Sequence, residues 1–135
     1  MGVKTAFPEA TSAIESLRRQ LDLQAIFFRS PRGNLIRSLV AEAQSDPELA
    51  SAFRERWLEP RRESVREILR AAIAEGSLRA DIDFEAAIAL LYGSLYYRLI
   101  VAAGPIDKRF IDHIYQQFLA GTRNIRTGLD EEPWP

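Results

Sequence analysis

The sequence predicts an all-α domain of five helices, and three observations carry that assignment. Apolar residues recur at helical spacing along most of the chain, and no stretch alternates with the period of two expected of a half-buried strand. Helix-start and helix-stop residues stand between the periodic runs: Ser30-Pro31, Asp46-Pro47, Gly76, Asp83, Gly104-Pro105 and Asp107. The chain has 135 residues, 47% hydrophobic and 27% charged. A single domain of that size buries roughly 68–70% of its unfolded surface without staples.

The first helix is expected from about Pro8 to Phe28, with Ile14, Leu17, Leu21, Ala25 and Phe28 on one face. Ser30-Pro31 then places a capping hydroxyl before a proline at the first helical position. The second helix runs from about Pro31 to Gln44 and carries Leu35, Ile36, Leu39, Val40 and Ala43. Asp46-Pro47-Glu48 repeats the device, with an acid in the first turn.

A third helix is expected from about Pro47 to Glu75, with Leu49, Phe53 and Trp57 followed by Val65, Ile68, Leu69 and Ala72. Pro60 lies inside it, where proline removes a backbone bond and costs ~3 kcal/mol in a regular helix. The apolar phase continues across Glu59-Pro60, so the segment reads as one kinked helix whose kink opens a gap beside Trp57. Its second half is dense in charge. Glu59 with Arg62, Glu63 with Arg66, and Glu67 with Arg70 form i,i+3 pairs of opposite sign, which makes this a solvated, self-paired face rather than a nucleic-acid stripe.

Gly76 marks the left-handed stop of that helix. The fourth helix, capped by Asp83, runs from about Phe84 to Ala103, and the fifth, capped by Asp107, from about Lys108 to Ala120. Residues 1–121 thus form one domain, and 122–135 read as a flexible C-terminal tail with Trp134 set between prolines.

The fourth helix has almost no polar face between Ala86 and Tyr97. Ile88, Tyr92, Leu95 and Leu99 form one stripe; Ala86, Leu90, Gly93, Tyr97 and Ile100 form another. A helix apolar nearly all round is buried nearly all round, and a short chain rarely covers one fully. The fifth helix is broad too, pairing Phe110 with Ile111, Ile114 with Tyr115 and Phe118 with Leu119. Surplus apolar surface on both points to a two-fold homodimer built as a four-helix bundle. Its expected interface comprises Leu90, Gly93, Tyr97, Ile100, Ile111, Tyr115 and Phe118.

Several function classes find no support. The formal net charge is −1, without the basic excess that phosphate neutralisation wants. No cysteine is present, which removes disulfides, thiolate chemistry and Cys-based zinc sites and fits a reducing compartment. The N-terminus lacks an apolar signal core, and Ala6 stands where myristoylation wants Ser or Thr. No apolar run approaches the ~20 residues of a membrane span. The expectation is a cytoplasmic protein with no membrane partner. The single histidine, His113, and its neighbour Asp112 do not face one another on a helix. With no convergent ligand set, no phosphate loop and no nucleophile elbow, no enzyme activity, metal or cofactor is expected.

The ordered set of segments resembles a known family. Asp46-Pro47-Glu48-Leu49-Ala50 opens the long third helix, Glu59-Pro60-Arg61-Arg62 lies within it, and the run Ala74-Glu75-Gly76-Ser77-Leu78-Arg79-Ala80-Asp81-Ile82-Asp83 closes it. Leu90-Leu91-Tyr92-Gly93-Ser94-Leu95-Tyr96-Tyr97-Arg98-Leu99 follows, and Phe118-Leu119-Ala120-Gly121 ends the fold. From about Thr11 to Gly121 this resembles the C-terminal domain of TetR-type (tetracycline-repressor-like) transcriptional regulators, repressors in type. The resemblance implies dimerisation through the last two long helices. It also implies a cavity among the earlier helices where a small-molecule effector shifts a pair of DNA-binding heads. The three-helix head itself is not in this sequence: Ser30-Pro31-Arg32 joins the first two helices without a tight turn and recognition helix. DNA contact is therefore expected only through a missing N-terminal head.

Aromatic clustering with few charges suits a mostly apolar effector held by a few hydroxyls. The expected wall is Leu21 and Phe28 from the first helix, Leu39 from the second, Trp57 from the third, and Tyr92 and Tyr96 from the fourth. The alternative is a stand-alone helical dimerisation or protein-interaction module with no ligand.

Overall fold

The computed structural model describes residues 11–124. Its helices are α1 (Ala13–Arg29), α2 (Pro31–Ala43), α3 (Pro47–Phe53), α4 (Glu59–Ala74), α5 (Phe84–Tyr96) and α6 (Lys108–Thr122). Two π-helical turns, Arg54–Leu58 and Tyr97–Ala102, continue α3 into α4 and extend α5.

The first helix starts later than its apolar pattern predicts. Ser12 caps it, its hydroxyl accepting the Glu15 amide at 3.2 Å while the Glu15 carboxylate accepts the Ser12 amide at 3.2 Å. This is the Ser-x-x-Glu capping box, a local signal stronger than Pro8. The Glu75 carboxylate adds a tertiary cap: it accepts the amides of Ala13 at 2.9 Å and Ile14 at 3.1 Å. Ser30 serves two helices, ending α1 and accepting the Arg32 amide at 3.2 Å to start α2. The corner is tight, because a Cβ on Gly33 would overlap the Phe28 carbonyl oxygen.

Residues 47–74 form a continuous rod, as the unbroken apolar phase predicts. The reason for its π turn lies in Pro60. Proline has no amide to donate to the Arg56 carbonyl, and its ring crowds that turn. The ladder widens one residue earlier, where the Glu59 amide bonds the Arg54 carbonyl, an i to i−5 bond that absorbs the disturbance. The charged face beyond Pro60 is self-paired, with the expected Glu59–Arg62 and Glu63–Arg66 pairs formed and the third replaced. Arg66 contacts Glu59 and Glu63 at 2.9 Å and Glu85 at 3.1 Å, tying α4 to α5. Arg70 turns to Glu63 at 3.4 Å rather than to Glu67.

The core lies between α1, α4, α5 and α6, where Leu17, Leu21, Leu69, Leu91, Leu95 and Ile111 are fully buried. Gly76 takes the left-handed conformation at φ 88°. At the end of the fourth helix that role falls to Ala103, at φ 54°. Three arginines satisfy the carbonyls around this second turn. Arg37 donates to Leu99 at 2.9 Å, Arg98 to Pro105 at 2.8 Å and Arg29 to Ile106 at 2.7 Å.

The expected tail begins too early. Arg79 donates its amide to Thr122 and Asn124 donates to Ser77, at 2.9 and 3.0 Å, so the chain is held through Asn124 against the α4–α5 connection. The rest of the expected tail, with Trp134, lies outside the described residues.

The helical stretch Phe84–Ala102 is long and apolar enough to cross a membrane by length and composition alone. Reading contiguous runs misses it because Glu85 and Arg98 interrupt them. Its inner face (Ala87, Ile88, Leu91, Leu95 and Leu99) is buried in the core. Its outer face is not: Leu90 is 65%, Tyr97 58% and Val101 69% exposed, with Ala86, Ala89 and Gly93 exposed beside them.

Candidate functional site

A cleft of about 660 Å³ opens between the second, third and fourth rods of the bundle. Val40 and Ala43 of α2 line one side, Ala50 and Phe53 of α3 another. The π turn contributes Arg54 and Leu58, and α4 contributes Arg61, Arg62 and Val65. The floor is α5, through Ile88, Ala89, Tyr92, Gly93 and Tyr96, with Ile100 from the following turn. Both π turns thus border the cleft. A widened turn displaces the groove between neighbouring rods and keeps them from closing on each other.

Of the six residues expected in the wall, Tyr92 and Tyr96 line it. The other four do not. Leu21 is completely buried and Phe28 is 4% exposed, so their surfaces are used up by core packing. Leu39 packs partly buried against that core. Trp57 turns away from the kink and forms the layer behind Tyr96. Its indole N–H donates to the Tyr96 hydroxyl at 2.8 Å, and its ring lies 5.3 Å from Phe27 and 6.2 Å from Phe53. Phe28 meets the edge of Tyr96 at 5.0 Å. Helical phase locates aromatic residues on the inner side, but it does not separate those that fill space from those that border it.

The two tyrosines differ in their polar partners. The Tyr92 hydroxyl is buried and bonds to nothing among the described residues. Burial pushes its phenol well above the ordinary value, and the neighbouring Tyr96 adds to the shift. Burial also raises Tyr96, against the opposing pull of the Trp57 N–H and the charges of Arg61 and Arg62. Both are neutral donors at physiological pH. Tyr96 accepts from Trp57 and keeps its own hydrogen free for the cleft.

The polar part of the wall that sequence reasoning missed is cationic. Arg54, Arg61 and Arg62 border the cleft, and among the described residues no Asp or Glu does. Arg61 lies flat over Trp57, its guanidinium carbon 3.3 Å from the ring centroid, and donates to the Trp57 carbonyl at 3.2 Å. Arg62 reaches Glu59 at 3.7 Å. Arg54 touches the Ser51 hydroxyl at 3.5 Å. A signal was available: neither Arg54 nor Arg61 has an acid three or four residues away on its helix, and the two are one heptad apart.

Residues 7–118 match the family described as the tetracyclin repressor-like C-terminal domain. The chain belongs to that family. It is 28% identical over 116 residues to the uncharacterized HTH-type transcriptional regulator YdeS of Bacillus subtilis (strain 168), covering 86% of this chain and 59% of that protein. The fold matches the crystal structure of the TetR family transcription regulator SCO0332 with a TM-score of 0.78 and 32% identity, over 86% of this chain and 64% of that one. The TetR-type domain thus spans about three fifths of the regulators it matches, which the resemblance in its helix order anticipates.

In this TetR-type domain the residues expected at a dimer interface divide into two groups. Leu90, Gly93 and Tyr97 are exposed on the outer face of α5, and Ile100 is half-buried at its edge. Ile111, Tyr115 and Phe118 are instead in the domain's own core. The three lie at i, i+4 and i+7 of α6 and face inward, and the Tyr115 hydroxyl donates to the Ile14 carbonyl at 3.0 Å. The exposed face of α6 is small and polar: His113, Gln116, Gln117, Ala120 and Gly121. Among the described residues no group of three or more His, Cys, Asp or Glu could hold a metal ion.

Proposed function

We propose that this TetR-type domain binds a small, largely apolar effector in the cleft above Tyr92 and Tyr96 and pairs with a second copy through the outer face of α5. The observation that carries this reading is the double use of α5. One side of the helix floors a cleft within the roughly 300–1,000 Å³ range of small-molecule sites. The adjoining side carries Leu90, Tyr97 and Val101 in the open. Exposed apolar surface of this kind marks a site of interaction, and a homodimer covers it by symmetry. Ala89 and Gly93 belong to both surfaces. An effector filling the cleft therefore presses on the helix that sets the spacing of the two copies, which is how differential affinity for two arrangements shifts a population.

The domain works in this reading as a binding module, not a catalyst, within a cytoplasmic regulator whose DNA contacts come from a segment other than residues 11–124. The test is uptake of a neutral, environment-sensitive dye such as Nile red. Saturable binding is expected in the wild type, weakened by about tenfold or more in Ala43→Phe and Ala50→Phe, which fill opposite walls. Equal uptake by all three proteins, or none by the wild type, contradicts an effector site there.

A further inference from the structure

We propose that the effector is an anionic amphiphile, its carboxylate held between Arg54 and Arg61 beside the Tyr96 hydroxyl and its apolar body lying along Val40, Phe53 and Ile88. This rests on the cleft being an effector site and adds the charge of the ligand to it.

The hydrogen-bonding inventory of the wall is one-sided. Guanidinium groups donate and never accept, and three of them border the cleft. The Tyr92 hydroxyl has no partner, and the Tyr96 hydroxyl has its acceptor side filled by Trp57. Among the described residues no carboxylate lines the cleft, and only the amide oxygens of Gln24 and Gln44 stand as side-chain acceptors apart from the hydroxyls. A neutral hydrocarbon would leave the buried Tyr92 hydroxyl without an acceptor, which is costly, and would offer the guanidinium groups no counter-charge. A cationic ligand would add like charge. An anion supplies what the wall lacks.

Ion pairing along the same rod sharpens the point. Arg62, Arg66 and Arg70 each reach a glutamate, at 3.7, 2.9 and 3.4 Å. Arg54 and Arg61 reach none among the described residues, although both border the cleft. Arg61 is nonetheless fixed in place, stacked on Trp57 and bonded to its carbonyl. Burial pulls its pKa down, with only the neighbouring Tyr96 phenol opposing. A guanidinium fixed in place, with no counter-charge among the described residues, gains more from a carboxylate than a mobile one. The remaining wall (Ala43, Leu58 and Val65) is apolar, so the head and body of an amphiphile each meet matching surface.

Calorimetric titration of the full chain with decanoate, decanol and decyltrimethylammonium separates the possibilities, since the three share an apolar body and differ in the head. Decanoate is expected to bind about tenfold more tightly than decanol, with the trimethylammonium weakest. Arg54→Gln and Arg61→Gln should each remove most of that preference, read as the ratio of decanoate to decanol affinity in the same variant. Decanol binding as tightly as decanoate, or an undiminished preference for decanoate in both variants, overturns the charge assignment and leaves the effector site standing. Failure of all three probes to bind overturns both.

Discussion

The Trp57 indole N–H donates to the Tyr96 hydroxyl at 2.8 Å, a bond between the π turn of the third rod and the helix that floors the cleft. It holds the Tyr96 ring beside Phe28, whose centroid lies 5.0 Å away, and it ties the third helical segment to α5.

Breaking this bond from either side should give losses that are not additive. Tyr96→Phe leaves a half-buried indole N–H without an acceptor, and a loss of about 1–3 kcal/mol in urea unfolding is expected. Trp57→Phe removes packing against Phe27 and Phe53 as well. In the double variant the two losses should fall short of their sum by about 1 kcal/mol. Strict additivity would mean that the bond contributes nothing.

Gly33 is required by contact rather than by its dihedral angles. A methyl group there overlaps the Phe28 carbonyl oxygen, which is backbone and cannot swing aside. Gly33→Ala should destabilise the domain by about 1–3 kcal/mol, the usual cost of overpacking. The matched control is Gly121→Ala, where an added Cβ meets nothing within 4 Å. Replacing that helical glycine should be neutral or stabilising by up to ~1 kcal/mol. Thermal unfolding of both variants checks the contrast.

Glu75 makes the start of α1 sensitive to acid. Partial desolvation pushes its carboxyl up, but hydrogen bonds from the Ser77 hydroxyl and the amides of Ala13 and Ile14 outweigh it and hold the pKa below the ordinary 4.5. A carboxylate whose pKa is lower folded than unfolded stabilises fully above the unfolded value, and that contribution is lost as the pH falls through the folded one. The midpoint of thermal unfolding should therefore drop as the pH falls below 4.5 more steeply in the wild type than in Glu75→Gln. Parallel profiles would show that Glu75 does not cap α1.

Much of the fold is legible in the sequence because local chemistry marks it. Pro31, Pro47, Asp83 and Asp107 start their helices where the cap rules place them, and the apolar phase across Pro60 gives one rod. The candidate site is legible only in part. Tyr92 and Tyr96 border the cleft, whereas Leu21, Phe28, Leu39 and Trp57 are taken up by packing, a distinction that tertiary contacts make and periodicity does not. The α5 face was readable from its lack of polar residues. The doubled rows of α6 were misleading, since Ile111, Tyr115 and Phe118 serve the domain's own core and only the contacts of the folded chain reveal which way a broad helix turns. Arg54 and Arg61 stand out in the sequence only by lacking an acid three or four residues away, a weaker mark than the paired charges around Arg66.

The proposed pairing of α5 with a second copy is tested most directly by the solution mass from light scattering across a dilution series. The account predicts a mass about twice that of the 15.3 kDa chain, stable on dilution. Leu90→Glu and Tyr97→Glu, both at exposed positions, should give helical monomers or, if pairing is obligatory for folding, unfolded chains. A wild-type mass of 15.3 kDa at every concentration, or an undisturbed dimer in both variants, would contradict it.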